Sequence, residues 1–234
     1  MKNFLASVPT RSREKDFIRH ASHELRTPIA ALGATTELAL SRPREAAEYI
    51  RHLESCAKTS AELSTLVNSL TALARIGGNN TPPQLVALSF SEILDETLAK
   101  FTKPIAANNI TIETTGSAPT ALGDPAMTGI ILSNLLDNAI SYSAPGSTIS
   151  INLSAHPDHA EISFTNPSTD LPEDLERLFE PLFRRDSART SNTHLGIGLT
   201  LSREAASAMS GTLTATCPGN GLVCFCLCLP AFKP

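Results

Sequence analysis

The sequence predicts an α+β chain in two parts: an antiparallel helical hairpin that dimerises into a four-helix bundle, then a two-layer α/β sandwich. Three observations predict it. Leu53, Cys56, Ser60, Leu63, Val67, Leu70 and Ala74 alternate steps of three and four, a heptad seam that two helices alone cannot enclose. Gly77-Gly78-Asn79-Asn80, followed by Pro82-Pro83, stops that helix and keeps it from resuming. Beyond this point, segments of period two alternate with segments of helical period. The domains are therefore 1–78 and 79–234.

In the first domain, Phe17, Ala21, Leu25, Ile29, Leu32 and Thr36 step by three or four along one helix, and Ser41-Arg42-Pro43 separates it from the second. In the second domain, Val86–Ser89 reads as a short strand, and Ser91 to about Ile105 as an amphipathic helix carrying Ile93, Leu94, Leu98 and Phe101. Ile110–Thr114 is strand-like. Asp124-Pro125 is a helix start, with Asp as N-cap and Pro at the first helical position, and this helix runs to about Tyr142. Thr148–Ala155 and Ala160–Thr165 form a hairpin around His156-Pro157-Asp158-His159. A short helix fits Pro172–Phe179, a polar loop covers Arg184–His194, and a helix follows Gly198 to about Ser210. Strands near Thr212–Thr216 and Leu222–Leu229 complete the sheet, which is mainly antiparallel.

The chain of 234 residues carries a formal charge of −4, unevenly spread. Residues 1–78 sum to +3 and residues 79–234 to −7. Neither part is basic enough to make nucleic acid the main partner. An anionic ligand in the second domain would need local help from backbone amides, arginines or a metal ion. The five cysteines lack CxxC spacing, and Cys224, Cys226 and Cys228 alternate, so their thiols share one face of a strand. The expected reading is a buried apolar strand in a reducing compartment, with a soft-metal site as the alternative. No stretch reaches the roughly 18–20 apolar residues needed to span a bilayer, so no membrane contact is expected from this segment itself.

The chemistry concentrates in a few short runs. Ser22-His23-Glu24-Leu25-Arg26-Thr27-Pro28 places a histidine off the apolar stripe, with a carboxylate beside it and a threonine one turn later. A carboxylate near one imidazole nitrogen fixes the tautomer and leaves the other nitrogen nucleophilic. Asn134 and Asn138 are four apart on one helix face, where amide oxygens suit a hard cation such as Mg²⁺. Gly196 and Gly198, within His194-Leu195-Gly196-Ile197-Gly198-Leu199, open a helix and let backbone amides approach phosphate.

Together these runs resemble the sensor histidine kinases of two-component systems. SHELRTP is similar to their phosphoacceptor box, and NLLDNA to the N box of the GHKL/Bergerat-type ATP-binding domain shared with DNA gyrase and Hsp90. HLGIGL is similar to its second glycine box, and Phe179-Glu180-Pro181-Leu182-Phe183-Arg184-Arg185 to its phenylalanine box. The resemblance implies ATP and Mg²⁺ as cofactors. It makes His23 the phosphoacceptor with Glu24 as orienting base, Asn138 the magnesium ligand, and Asn134 a neighbour of the phosphates. Tyr142 would lie against the nucleotide, and Arg184, Arg185 and Arg189 would supply positive charge. Glu24 and Thr27 match the ExxT pattern of members that also act as phosphatases on their partner.

Two departures stand out. Ser141 occupies a position where many members carry Lys or Arg. Asn166, in Thr165-Asn166-Pro167-Ser168, falls where the family has an Asp that accepts a hydrogen bond from the adenine amino group, and the glycines that usually follow are absent. The amide oxygen of Asn166 can still accept that bond, without charge assistance. The expected partners are a second copy of the chain and a response-regulator receiver domain. By resemblance, the full-length protein is anchored in the inner membrane with this part in the cytoplasm. The alternative is a dimeric phosphotransfer or docking module that uses ATP weakly or not at all, and an ATPase of the gyrase type is disfavoured.

Overall fold

The computed structural model of the chain describes residues 25–77, 82–117, 120–168, 171–181, 183, 196–219 and 221–233. It divides into two compact units between Ala72 and Leu73.

The first unit is built from helix α1 (residues 25–40) and all but the last residues of α2 (Ala46–Gly77). The end of α1 leaves carbonyls without helical partners, and one of them, Leu38 O, is supplied with donors. It accepts from Ser41 Oγ at 2.8 Å and from Arg44 Nη2 at 2.7 Å. Arg44 also pairs with Glu48 at 3.5 Å, and its side chain is only 8% exposed. Pro43 has no backbone N–H to continue α1, so the reversal is fixed chemically on both sides.

The heptad stripe expected on α2 divides between two faces. Tyr49, His52, Cys56, Thr59 and Leu63 are half-buried at steps of three and four. Leu53 and Val67, expected on the same seam, are 66% and 48% exposed, as is Ile50 at 55%. These three follow a second stripe one residue out of phase, which the single chain leaves uncovered.

The second unit has a five-stranded sheet in the order β2 (Thr111–Gly116), β4 (Thr148–Ala155), β5 (His159–Pro167), β7 (Leu222–Pro230), β6 (Thr212–Gly219). β2 and β4 are parallel and the other pairs antiparallel. A separate antiparallel pair joins β1 (Val86–Ser89) to β3 (Thr120–Gly123). Helices α3 (Phe90–Lys100), α5 (Pro125–Tyr142) and α6 (Gly198–Ala208) complete the second layer. Strand alternation decides the core: Ile149, Ile151 and Leu153 of β4, Ile162 and Phe164 of β5, and Phe225, Leu227 and Leu229 of β7 point inward. They meet Ile131, Leu132, Leu135 and Leu136 of α5 in one apolar cluster. Gly116 is required where β2 ends, because its φ is +90° and a Cβ would strike Leu153 O at 1.9 Å.

Met209 lies fully buried under the start of α5. Its thioether accepts from the backbone N–H of Asp124 at 3.1 Å and from Thr128 Oγ1 at 3.8 Å.

Several elements differ from the sequence expectation. The helix expected from Ser91 to Ile105 is two helices, α3 and α4 (Thr102–Ala107), broken at Phe101 with φ −102° and ψ 10°. Pro104 has no N–H to donate back to Lys100, so the ladder cannot pass through. β3 was not anticipated. β5 extends through Asn166 to Pro167, and β6 reaches Gly219 through an irregularity between Thr216 and Gly219. The helix expected over Pro172–Phe179 is a single 3₁₀ segment, Leu175–Phe179, started by Asp174, whose side chain accepts from Glu176 N. Cys224, Cys226 and Cys228 do share a face, but the core belongs to Val223, Phe225, Leu227 and Leu229 on the other side. The thiols are half-buried on the outer face of the sheet, not core residues.

Candidate functional site

Helix α5 is the spine of the site. Asp124 caps it by accepting from Ala126 N at 2.9 Å and Met127 N at 3.1 Å, while its second oxygen accepts from Gln84 N at 2.9 Å. The buried face of α5 takes Ile131, Leu132, Leu135, Leu136, Ala139 and Ile140, which leaves Asn134 and Asn138 half-buried together on the adjoining face. Tyr142, at the last turn, is 43% exposed.

Asn134 joins α5 to the glycine-rich turn. Its Nδ2 donates to Gly198 O at 3.1 Å and to Ser202 Oγ at 3.1 Å, and Ser202 Oγ donates to Gly198 O at 2.8 Å. A Cβ on Gly198 would come into van der Waals contact with the Asn134 side chain at 3.4 Å, so the two residues sit side by side. Gly196 has φ +68°, a backbone conformation that favours glycine. The N-cap of α6 is Ile197, whose apolar side chain offers no acceptor to the first amides. Those amides and the helix dipole face the turn as an anion-binding end. Asn134 therefore ties the glycine-rich turn to α5 through its amide donor.

Asn166 is 1% exposed. Its Nδ2 donates to Pro167 O at 2.9 Å, which fixes the rotation of the carboxamide. Its Oδ1 is buried and has no hydrogen-bond partner. A buried acceptor without a partner costs about 1–3 kcal/mol, so this oxygen would gain from a donor such as an exocyclic amine. Two residues on, Ser168 donates its N–H to Gly221 O at 2.7 Å. That bond holds the turn where the usual glycines are missing.

The phenylalanine run is anchored by residues that sequence reasoning missed. Thr200 Oγ1 donates to Phe179 O at 2.9 Å. The Arg203 guanidinium stacks 3.4 Å over the Phe179 ring and bonds Glu176 through both terminal nitrogens, at 2.6 and 3.2 Å. This hydrogen bonding holds the Glu176 carboxyl below the usual carboxylate range. Phe179 is buried against the edge of Phe225, with ring centres 6.3 Å apart. Phe183 lies under the Arg177 guanidinium at 4.7 Å. His23, Glu24, Arg184, Arg185 and Arg189 lie outside the described residues, and Thr27 is an exposed residue of α1.

The donor set suits a nucleotide: an amine-seeking buried oxygen, an amide-rich helix start, and an Asn138 oxygen of the hard type that Mg²⁺ takes. Two family models match the chain in sequence. Residues 13–79 match the His Kinase A (phospho-acceptor) domain, and residues 123–233 the histidine kinase-, DNA gyrase B- and HSP90-like ATPase. The chain belongs to the histidine kinase family. The sensor-like histidine kinase SenX3 of Mycobacterium tuberculosis is 33% identical over 223 residues, covering 93% of this chain and 54% of that protein. The sensor histidine kinase CusS of Escherichia coli is 30% identical over 222 residues, covering 94% and 46%. The chain thus spans about half the length of the curated relatives it matches.

The fold is that of solved histidine kinases. The Acinetobacter baumannii histidine kinase AdeS superposes with a TM-score of 0.73 at 19% identity, covering 90% of this chain and 98% of that one. Histidine kinase ThkA, in a structure with response regulator protein TrrA, gives a TM-score of 0.75 at 20% identity, covering 95% and 65%. ShkA, in a structure with AMPPNP, gives 0.67 at 17% identity, covering 94% and 46%.

Proposed function

We propose that this chain is the catalytic core of a two-component sensor histidine kinase, which phosphorylates His23 from ATP and passes the phosphoryl group to an aspartate of a response-regulator receiver domain. Residues 1–78 form the dimerisation and phosphotransfer part and residues 79–234 the ATP-binding part. The observation that carries the reading is the buried, unpartnered Oδ1 of Asn166 on the same domain as the Asn134-held start of α6. One end of that pair wants a base donor and the other wants phosphate.

ATP supplies the phosphoryl group, and Mg²⁺ held by Asn138 would neutralise charge on its phosphates. Asn166 Oδ1 accepts from the adenine amino group and so places the base. The amides at the start of α6 hold phosphate oxygens through Gly196–Gly198, and Tyr142 borders the nucleotide. Arg184 and Arg185 add positive charge and offset the neutral Ser141. The neutral imidazole of His23 attacks the γ-phosphorus in line, forming the N–P bond as the bond to the β,γ-bridging oxygen breaks. The electron pair leaves with ADP, and Glu24 orients the ring and takes the N–H proton. Thr27, one turn beyond His23, positions a water for hydrolysis of the phosphorylated receiver, which gives the chain a second, phosphatase activity.

The exposed stripe of Ile50, Leu53 and Val67 supports a homodimer, since a four-helix bundle buries such a stripe. No helix of the described residues is long and apolar enough to cross a membrane. Anchoring would come from a further segment of a longer protein, in keeping with relatives about twice this length.

Incubation with γ-labelled ATP tests the proposal. The chain should acquire acid-labile label, and His23→Gln should abolish it while leaving ATP affinity unchanged. Labelling that survives this substitution would refute the assignment. Absence of ATP binding in the unaltered chain would favour the docking module.

A further inference from the structure

The outer face of the five-stranded sheet carries a cluster that the kinase reaction does not use. Cys226 Sγ and Cys228 Sγ lie 3.7 Å apart, and Cys228 Sγ lies 3.7 Å from Glu161 Oε2. The ligand atoms of Glu161, Cys226 and Cys228 all fall within 4.8 Å of one another, and so do those of His156, His159 and Glu161. Glu161 belongs to both groups, and among the described residues the thiols group with Glu161 and not with an imidazole.

These spacings match a tetrahedral metal. Two sulfurs each about 2.3 Å from a tetrahedral Zn²⁺ are about 3.8 Å apart, and a sulfur and a carboxylate oxygen about 3.6 Å. Both observed edges agree with these figures. The positions are also fixed by backbone. β5 and β7 pair without a break from His159↔Pro230 to Pro167↔Leu222, which sets Cys228 directly across from Glu161. His159 is two residues before Glu161, on the same face.

The His156–His159 turn is closed by His156 N donating to His159 O at 2.8 Å, and the two rings stack with centres 4.3 Å apart. Asp158 binds Lys233 at 2.9 Å and accepts from Ala231 N at 3.0 Å, so the turn is tied to the segment after β7. Around the cluster, the register partners are Ser154, Ser163, Thr212 and Thr214. These small hydroxyl residues bring no cation to the carboxylate, and the thiols between them are half-buried. A merely solvated sheet face does not require two thiols and a carboxylate at metal-ligand spacing on adjoining strands.

We propose that Cys226, Cys228 and Glu161 form a binding site for a thiophilic divalent cation of the Zn²⁺ class, clamping β5 to β7. Binding forms two metal–sulfur bonds and releases two thiol protons to the buffer. The mixed thiolate and carboxylate set favours Zn²⁺ over Mg²⁺ or Ca²⁺, which take oxygen ligands. The site stands apart from the residues proposed to hold ATP, so it is independent of the kinase reading.

The test is a Zn²⁺ titration of the whole chain against a chromophoric chelator in a thiol-free reducing buffer, with Co²⁺ as the spectroscopic probe. One equivalent should bind, with a thiolate-to-cobalt charge-transfer band. The double variant Cys226→Ser, Cys228→Ser should lose affinity by about a hundredfold or more, beyond the loss seen when only a ligand's supporting partner is removed. The triple variant Cys56→Ser, Cys217→Ser, Cys224→Ser should bind like the unaltered chain. Unchanged affinity in the double variant, or loss in the triple variant, overturns the proposal. Should the double variant fail to fold, Glu161→Gln decides: it keeps both thiols, and wild-type affinity there overturns the site as drawn.

Discussion

Asn166→Leu separates stability from nucleotide binding in a way that only an orphaned acceptor allows. Leucine keeps the branched outline of asparagine and removes both polar atoms. In the nucleotide-free chain, the buried Oδ1 costs about 1–3 kcal/mol for want of a partner, while the bond from Nδ2 to Pro167 O returns about 1 kcal/mol. The substitution should therefore leave the free protein as stable as before or more stable, by up to about 2 kcal/mol, where replacing a satisfied buried amide would destabilise it. For a domain of this size, that is a rise of up to several degrees, at about 2–4 °C per kcal/mol. Binding should move the other way. A donor that reaches Oδ1 recovers the 1–3 kcal/mol, so losing the acceptor should weaken ATP about fivefold to a hundredfold.

Inosine triphosphate provides the internal control. It carries a carbonyl where ATP carries the amine, so it sets an acceptor against Oδ1. The unaltered chain should prefer ATP, and the variant should bind the two nearly equally. Calorimetric titration with each nucleotide and thermal melting of the free protein give all the quantities. A variant that keeps the ATP preference, or one that loses several degrees of stability without nucleotide, would refute the assignment of this oxygen to the base.

Asn138→Ala should weaken ATP by about tenfold or more when Mg²⁺ is present and little when it is chelated, the effect expected of a lost metal contact. Equal loss in both conditions would assign Asn138 to packing. Thr27→Ala should slow release of phosphate from a phosphorylated receiver by about tenfold while His23 labelling proceeds, as expected for loss of a water-positioning group. An unchanged release rate removes the phosphatase role. Leu53→Glu should convert the dimer to monomer in sedimentation at micromolar concentration, because it removes about 1.5–3 kcal/mol of burial per side and adds two facing charges. An intact dimer would place the interface elsewhere.

What could be read from sequence was what local chemistry determines. Asp124-Pro125 fixes a helix start within three residues, and the structure puts the cap there. The alternation of β4 and β5 around His156-Pro157-Asp158-His159 likewise marked an antiparallel hairpin, and the two strands pair so. What escaped depends on partners distant along the chain. β3 is four residues long and exists because β1 pairs with it. Arg203 and Glu176 are 27 apart, and nothing local to either predicts their bond. Alternation of Cys224, Cys226 and Cys228 showed that the thiols share a face, but which face is outward depends on the helices that cover the other. Asn166 was recognisable as an acceptor, whereas its fixed rotation comes from a bond to Pro167 O that no pattern encodes.

Met209 gives the fold an unusual sensitivity. Methionine and leucine normally exchange in cores for little, because their volumes are close. Here the sulfur is also the acceptor for the Asp124 amide, at the residue that both caps α5 and receives the Gln84 N–H. Leucine would fill the same space and leave that amide with no oxygen or sulfur to bond. The Thr128 hydroxyl can turn to another acceptor, but the backbone N–H cannot. Oxidation of the thioether would bring an oxygen into a space sized for a lone pair. A chain in which one sulfur atom links the start of α5 to the end of α6 thus carries a point of chemical ageing at the helix that bears both Asn134 and Asn138.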